Sequence, residues 1–262
     1  MSRALRSERL EKKRRIRAAA LSGVIAAASG LLFFGIYRMV NASWAQVALV
    51  DVAGTEVLSR DELLTAASAV LAEPRAIVPR TSSFFFDKGH VEAHVSARFP
   101  RIMEVDVRRT GWKTARLIVA ERAPAAYACT LAACVSLDEA GNVFAEAPSF
   151  ALSDLPVIEV PDLPVIGSEF LTPSSLMFVV RAWEGLQTLA KKPIRASLSG
   201  DDLRVDFSEG SVLISARLPL SDSLEVLRAA ARQEPAASVI DVRFPGKVIY
   251  RDERASIPVV EE

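Results

Sequence analysis

Two cysteines and two histidines are the residue types in this chain best suited to metal or redox chemistry. Cys129 and Cys134 bracket four residues in the run CTLAAC, and His90 and His94 stand four apart. That second spacing puts both imidazoles on one face of a helix. Two thiolates and two imidazoles can complete a tetrahedral zinc site, but the spacing here is not that of a zinc finger. A disulfide is the other chemistry open to Cys129 and Cys134. The count is even, and a hairpin through the flanking residues would bring the two Cα atoms within bonding distance. The loop so closed is short, so its entropic contribution is modest.

No other group of side chains has the spacing of a known catalyst. The sequence lacks a Gly-x-Ser-x-Gly elbow, a phosphate-cradling glycine loop, a His-Glu-x-x-His pair and a Ser-x-x-Lys motif. Asp138/Glu139 and Asp201/Asp202 are paired acids in turn-like contexts, where solvated carboxylates are common. Glycoside hydrolysis by two carboxylates stays open, because that pairing is spatial. The expectation is a protein that is not an enzyme and needs no cofactor or metal.

Charge divides the chain. Lys and Arg total 32, Asp and Glu total 32, and the formal net charge is zero. Residues 1–17 hold eight basic residues and only Glu8 and Glu11 as acids, a net of +6, so the remainder carries −6. Residues 18–37 then contain no charged side chain. Twenty residues of helix span about 30 Å, the thickness of a bilayer's hydrocarbon core. Tyr37 and Trp44 suit the membrane–water interface. Residues 18–38 are therefore expected to cross the bilayer. By the distribution of Lys and Arg, residues 1–17 stay cytoplasmic and the bulk is exported. Signal peptides have an apolar core of about 7–15 residues, which favours an uncleaved anchor over processing at Val40-Asn41-Ala42. An acidic exported part disfavours nucleic acid.

Periodicity places the elements. Residues 46–52 read as a strand. Ser59 and Glu62 form a capping box opening a helix that Pro74 and Pro79 end. Phe84, Phe85 and Phe86 read as a buried plug between elements. Asp87 caps a second helix running to about Arg98. Residues 102–109 alternate, with Met103, Val105 and Val107 on one face and Glu104, Asp106 and Arg108 on the other, and residues 115–121 add a strand with Leu117 and Val119 inward. This is strand, helix, helix, strand, strand, an α+β arrangement. Short strands follow at residues 125–129, 134–137 and 143–145. The run Leu-Pro-Val-Ile occurs at 155–158 and again at 163–166, by chance. Thr172-Pro173 opens a helix with Leu176, Val179, Val180, Trp183, Leu186 and Leu189 on its buried face. Residues 203–207 and 212–216 are strands, and Asp222 with Glu225 opens a helix to about Gln233. Ile240, Val242 and Phe244 alternate with Asp241 and Arg243, residues 247–251 are extended, and residues 253–262 form a flexible tail.

The order of these features resembles the FtsQ/DivIB family of bacterial cell-division proteins. The resemblance is carried by Val52-Ala53-Gly54 before Leu58-Ser59, by Phe99-Pro100-Arg101-Ile102 and by Val105-Asp106-Val107-Arg108-Arg109. It continues through Glu121-Arg122-Ala123-Pro124-Ala125-Ala126 and Asp138-Glu139-Ala140-Gly141-Asn142-Val143-Phe144. Leu155-Pro156-Val157-Ile158 and Ile240-Asp241-Val242-Arg243-Phe244 complete it. The resemblance implies a cytoplasmic tail at 1–17, one membrane helix at 18–38, a POTRA domain (β-α-α-β-β) at 46–123 and a mixed β-domain with flanking helices at 124–252. It also implies a non-enzymatic scaffold of the division septum in the cytoplasmic membrane. Such a scaffold recruits the FtsB–FtsL pair and helps regulate septal cell-wall synthesis, with other septal proteins as candidate partners of the POTRA domain. The partner site is carried by motif onto Arg243 and Phe244 and by strand continuity onto Val248 and Tyr250. An edge strand there offers unpaired backbone groups for β-augmentation. Pro245-Gly246 departs from the family pattern, with a proline placed to shorten that edge. The Cys pair is not a general family feature.

Two other readings compete. A POTRA-type export or assembly factor would act as a chaperone-like platform, and a cell-wall enzyme would hide a spatially assembled site.

Overall fold

The computed structural model describes residues 2–73, 80–84, 86–147, 154–189, 192–231 and 238–252. Pro74, Pro79, Phe85, Pro148, Gln233 and the expected tail at 253–262 lie outside the described residues. The chain packs as two compact units, Met1–Glu121 and Arg122–Glu262. The fold is α+β, with one apolar N-terminal helix, a small sheet under helices and a large mixed sheet.

The first unit opens with one helix, α1 (Ser2–Val40). It joins without a break the basic segment and the apolar stretch, which sequence reading divides at residue 17. Residues 19–40 are long and apolar enough to cross a membrane, and apart from Val40 at the end the stretch is exposed. Leu31, Leu32, Phe33 and Phe34 are all exposed on it. After α1 comes a single 3-10 turn at Ser43–Ala45, then β1 (Ala48–Ala53), α2 (Arg60–Ala72), α3 (Lys88–Arg98), β2 (Ile102–Arg109) and β3 (Thr114–Glu121). The sheet order is β1-β3-β2, with β1 parallel and β2 antiparallel to β3. Leu63, Ala67 and Leu71 of α2 and Val91 and Val95 of α3 meet Val52, Val107, Leu117 and Val119 in one core.

Three local readings change here. Ser59 sits at the N-cap of α2, but its side chain makes no cap bond. Instead the N–H groups of Glu56, Val57 and Leu58 all donate to one oxygen of Glu121, at 2.8, 3.0 and 3.0 Å. Met103 does not stay on the face of Val105 and Val107. The β2–β3 register shifts between Ile102 and Glu104, so Ile102 is buried and Met103 is exposed. A bulge shifts the alternation by one residue. Of the phenylalanine run, Phe86 packs on the core but Phe84 is exposed.

The second unit is a nine-stranded sheet in the order β12-β11-β10-β9-β8-β7-β4-β5-β6. Its strands are β4 (Ala126–Cys129), β5 (Cys134–Leu137), β6 (Val143–Glu146), β7 (Val157–Glu159), β8 (Arg195–Ser199), β9 (Asp202–Phe207), β10 (Gly210–Ser215), β11 (Val239–Phe244) and β12 (Lys247–Arg251). Two helices, α4 (Pro173–Gln187) and α5 (Leu220–Ala231), share its core through Leu176, Val179, Trp183, Leu186 and Leu227. Thr172 caps α4 through its side chain, as its sequence requires. Helix α5 starts two residues before Asp222, directly after Pro219, so Asp222 lies in the first turn rather than at the cap.

Strands β7 and β8 are not apparent from sequence pattern. The first Leu-Pro-Val-Ile run becomes β7, in the middle of the sheet, where Ile158 is buried. The second lies outside any strand, with Val165 at 74% exposure. Identical residues take different structures because only the first has strands on both sides, β4 and β8.

The motif acids and glycine have structural work. Asp138 accepts from the N–H groups of Ala140 and Asn142 and from the Arg122 guanidinium. Gly141 has φ +83°, and a Cβ there would meet the Leu171 carbonyl oxygen at 2.0 Å. Only glycine fits that turn.

Candidate partner-binding edge

The C-terminal hairpin is built from a bulged strand and a tight turn. Strand β11 pairs parallel with β10 through Ser211–Val239, Val212–Ile240 and Leu213–Asp241. Strand β12 pairs antiparallel with β11, Asp241 facing Ile249 and Phe244 facing Lys247. Between those pairs β11 has Val242 and Arg243 where β12 has Val248 alone, which is a β-bulge. Pro245 and Gly246 form the two-residue turn, with Gly246 at φ +64°. The proline therefore closes the hairpin and does not shorten β12, which runs five residues beyond it.

The bulge overturns the simple alternation. Asp241 is fully buried, while Phe244, which alternation groups with Ile240 and Val242, is 44% exposed. Asp241 accepts from Arg243 three times, from its N–H at 3.2 Å, Nε at 2.9 Å and Nη2 at 2.8 Å. Arg251 Nη2 adds a fourth bond at 3.2 Å. The Nη1 of Arg243 reaches Asp202 on β9. Hydrogen bonds from the Arg243 side chain hold the Asp241 carboxyl below the usual carboxylate range against the opposing effect of burial, with the Arg243 N–H and the charges of Arg243 and Arg251 adding to the shift. The same partners, Asp241 first and then Asp202, raise the Arg243 guanidinium above its usual value.

Strand β12 is the terminal strand of the sheet, and among the described residues no strand pairs with its outer side. Its outward N–H and C=O groups are a template for an added strand. Phe244, Ile249 and Tyr250 are exposed beside it. Val248 is partly buried on the core. The structure thus brings Arg243, Phe244, Val248 and Tyr250 onto one hairpin. Sequence reading omitted Ile249, which the bulge brings opposite Asp241, and it omitted Asp241 as the anchor of Arg243. An acidic residue two before an arginine in a strand is the signal that pointed there. At the other end of the sheet, Val143 of β6 exchanges backbone bonds with Gly167 and Ser168. That loop occupies the outer side of β6 at this point.

The cysteines face each other across β4 and β5, with Cys129 and Cys134 in register and their sulfurs bonded. A bonded pair is not available as metal ligands. His90 lies beside Glu73, with Nε2 3.5 Å from the carboxylate. Among the described residues no three metal-ligating side chains cluster.

An apolar N-terminal helix long enough to cross a membrane, a β-α-α-β-β unit and a mixed sheet that ends, among the described residues, in β12 define a class of α+β protein with one candidate membrane span. Within that class the chain is homologous, over about half its length, to the cell division protein FtsQ. The FtsQ of Streptomyces bingchenggensis (strain BCW-1) is 34% identical over 138 residues, 52% of this chain and 49% of the relative. The FtsQ of Streptomyces coelicolor is 30% identical over 150 residues, 56% of this chain and 53% of the relative. In these alignments the chain spans about half the length of the relatives it matches. No family model matches the chain.

Proposed function

We propose that this chain is a membrane-anchored, non-enzymatic scaffold of bacterial cell division. It recruits FtsB–FtsL-type partners to the septum through its exported units and helps regulate septal wall synthesis there. The observation that carries the reading is the bare β12 edge, flanked by Phe244 and Tyr250 and backed by an arginine held on a buried carboxylate. The homology to proteins named cell division protein FtsQ supports the setting. In this reading residues 18–38 hold the chain in the cytoplasmic membrane, with 1–17 cytoplasmic and the bulk outside. Residues 46–123 are the POTRA domain, open to further septal proteins, and 124–252 the β-domain.

The partner adds one strand to β12. Main-chain hydrogen bonds supply affinity, and side chains at the edge supply selection. Arg243 commits its guanidinium to Asp241 and Asp202, so the exposed rings of Phe244 and Tyr250 are what the edge offers for selection. The test is capture of an FtsB–FtsL pair by the chain and by a Phe244→Ala/Tyr250→Ala variant. Retained capture by the variant removes the edge from the reading. A fluorescent fusion that is spread evenly round the cell, rather than concentrated at the septum, removes the division role and favours an export or assembly factor.

A further inference from the structure

Three chain segments meet where α1 joins the first unit, and each presents one aromatic ring. Trp44 follows the end of α1, Phe84 lies in the loop before α3, and Trp112 lies in the turn between β2 and β3. They are 46%, 41% and 52% exposed. Phe84 stands edge-on between the two indoles, 6.4 Å from Trp44 and 5.4 Å from Trp112 by ring centroid, at 85° to each. Such geometry is favourable between rings but leaves much of each face open.

The three segments are stitched by backbone bonds, so the rings are held in place. Ser83 N–H donates to the Ala45 carbonyl, Val47 N–H to Thr81 and Ala48 N–H to Lys113. Arg109 donates from Nη1 to the Ser83 carbonyl and from Nη2 to that of Trp112, and its guanidinium lies 5.9 Å from the Trp112 ring centre. Ser83 Oγ donates to the Trp112 carbonyl as well. The cluster is built by residues far apart in sequence, and it buries none of its rings fully.

We infer that Trp44, Phe84 and Trp112 form a platform that rests the first unit on the headgroup layer of the bilayer crossed by α1. The inference depends on the membrane-anchor reading. Trp44 is four residues from Val40, so a fully extended chain would place it at most roughly 14 Å from the helix end. The apolar surface of α1 continues into it through the exposed Tyr37 and Met39. Indole and phenyl rings settle at the level of lipid headgroups, where an apolar body and a polar edge are both satisfied. Arg38 on α1 and Lys113 beside Trp112 stand on two of these segments and suit anionic headgroups. A protein partner would find here a patch confined against the membrane; a lipid surface is already within reach.

The experiment uses the full chain in vesicles of phosphatidylcholine and phosphatidylglycerol brominated near the carbonyl end of the acyl chains. Bromine quenches only tryptophans close to it. Trp183 is 3% exposed in the other unit and serves as the unquenched reference. Trp112→Phe is expected to remove about half of the quenchable emission, because Trp44 and Trp112 share it. Trp44→Phe gives the converse reading, since quenching that survives there comes from Trp112. No loss in Trp112→Phe, or no surviving quenching in Trp44→Phe, overturns the platform. Alkaline extraction separates the two ideas. A chain released from the vesicles defeats the anchor and the platform together. A chain retained with Trp112 unquenched defeats the platform alone.

Discussion

Arg243 grips Asp241, two residues before it, with its own backbone N–H and with both Nε and Nη2. Nη1 continues to Asp202, and Arg251 completes the ring of charges round the buried carboxylate. One network therefore joins β9, β11 and β12. A buried charge persists only when it is paired and hydrogen-bonded, and here the pairing fixes the guanidinium beside the outer strand.

The first prediction separates binding from folding at this edge. Phe244→Ala and Tyr250→Ala remove exposed rings, so each should weaken partner binding by about 1–2 kcal/mol and leave the melting temperature nearly unchanged. Arg243→Glu should lower both, because it leaves Asp241 buried without its main cation. Titration calorimetry beside thermal melts reads the two effects. Equal melting-temperature losses in all three variants would show that the rings are packed rather than presented.

Acid should act through Asp241. Its folded-state pKa lies below the unfolded value of about 3.9, so its stabilisation is present at neutral pH. That contribution is lost as the pH falls through the depressed folded value. Asp138 shifts the same way, its bonds to Asn142 and Arg122 outweighing burial, and so contributes in the same window. Stability should hold from about pH 7 to about pH 5 and fall below about pH 4. Asp241→Asn should be less stable at neutral pH and show a shallower acid slope, measured by denaturant unfolding across that range.

Gly141→Ala should cost about 1–3 kcal/mol. Its φ of +83° is strained for alanine, and the Leu171 carbonyl is backbone that cannot step aside. A melting temperature equal to that of the parent would contradict the turn.

Glu121 offers a local test. Burial alone would raise its pKa, but three backbone N–H bonds and Arg101 hold it low. Glu121→Gln should loosen residues 56–58, seen as faster hydrogen exchange at those amides, and cost about 2 kcal/mol. Unchanged exchange there would place the clamp elsewhere.

Removing the Cys129–Cys134 bond by a double Cys→Ser change should cost about 2 kcal/mol, because the closed loop is short. Thiol titration of denatured, exported protein checks the bond itself. Two titratable thiols would refute it.

Much of this fold could be read from the residues. Thr172-Pro173 marks its helix because a side-chain oxygen and a missing N–H suit those two positions. Asp87 marks another because its carboxylate accepts from the His90 N–H. What escaped reading was set by neighbours. Ile158 and Ala196 lie in strands too short and too irregular in pattern to announce themselves, and the surrounding sheet decides them. Met103 is exposed although it alternates with Val105 and Val107, because a bulge adds one residue and turns the face over. The candidate edge was legible as two extended runs on either side of Pro245-Gly246, but not as the hairpin that turn closes. The role of Asp241 was not, because alternation assigns it outward and only the bulge and the two arginines explain its burial. Trp44, Phe84 and Trp112 are too distant in sequence for any local pattern to join them.

The continuity of α1 sets the geometry of the basic arm. Thirty-nine residues of helix reach about 58 Å, and the apolar 22 account for about 33 Å of that. The remaining turns carry the basic arm as the same rigid rod. Arm and span thus share one rotational register.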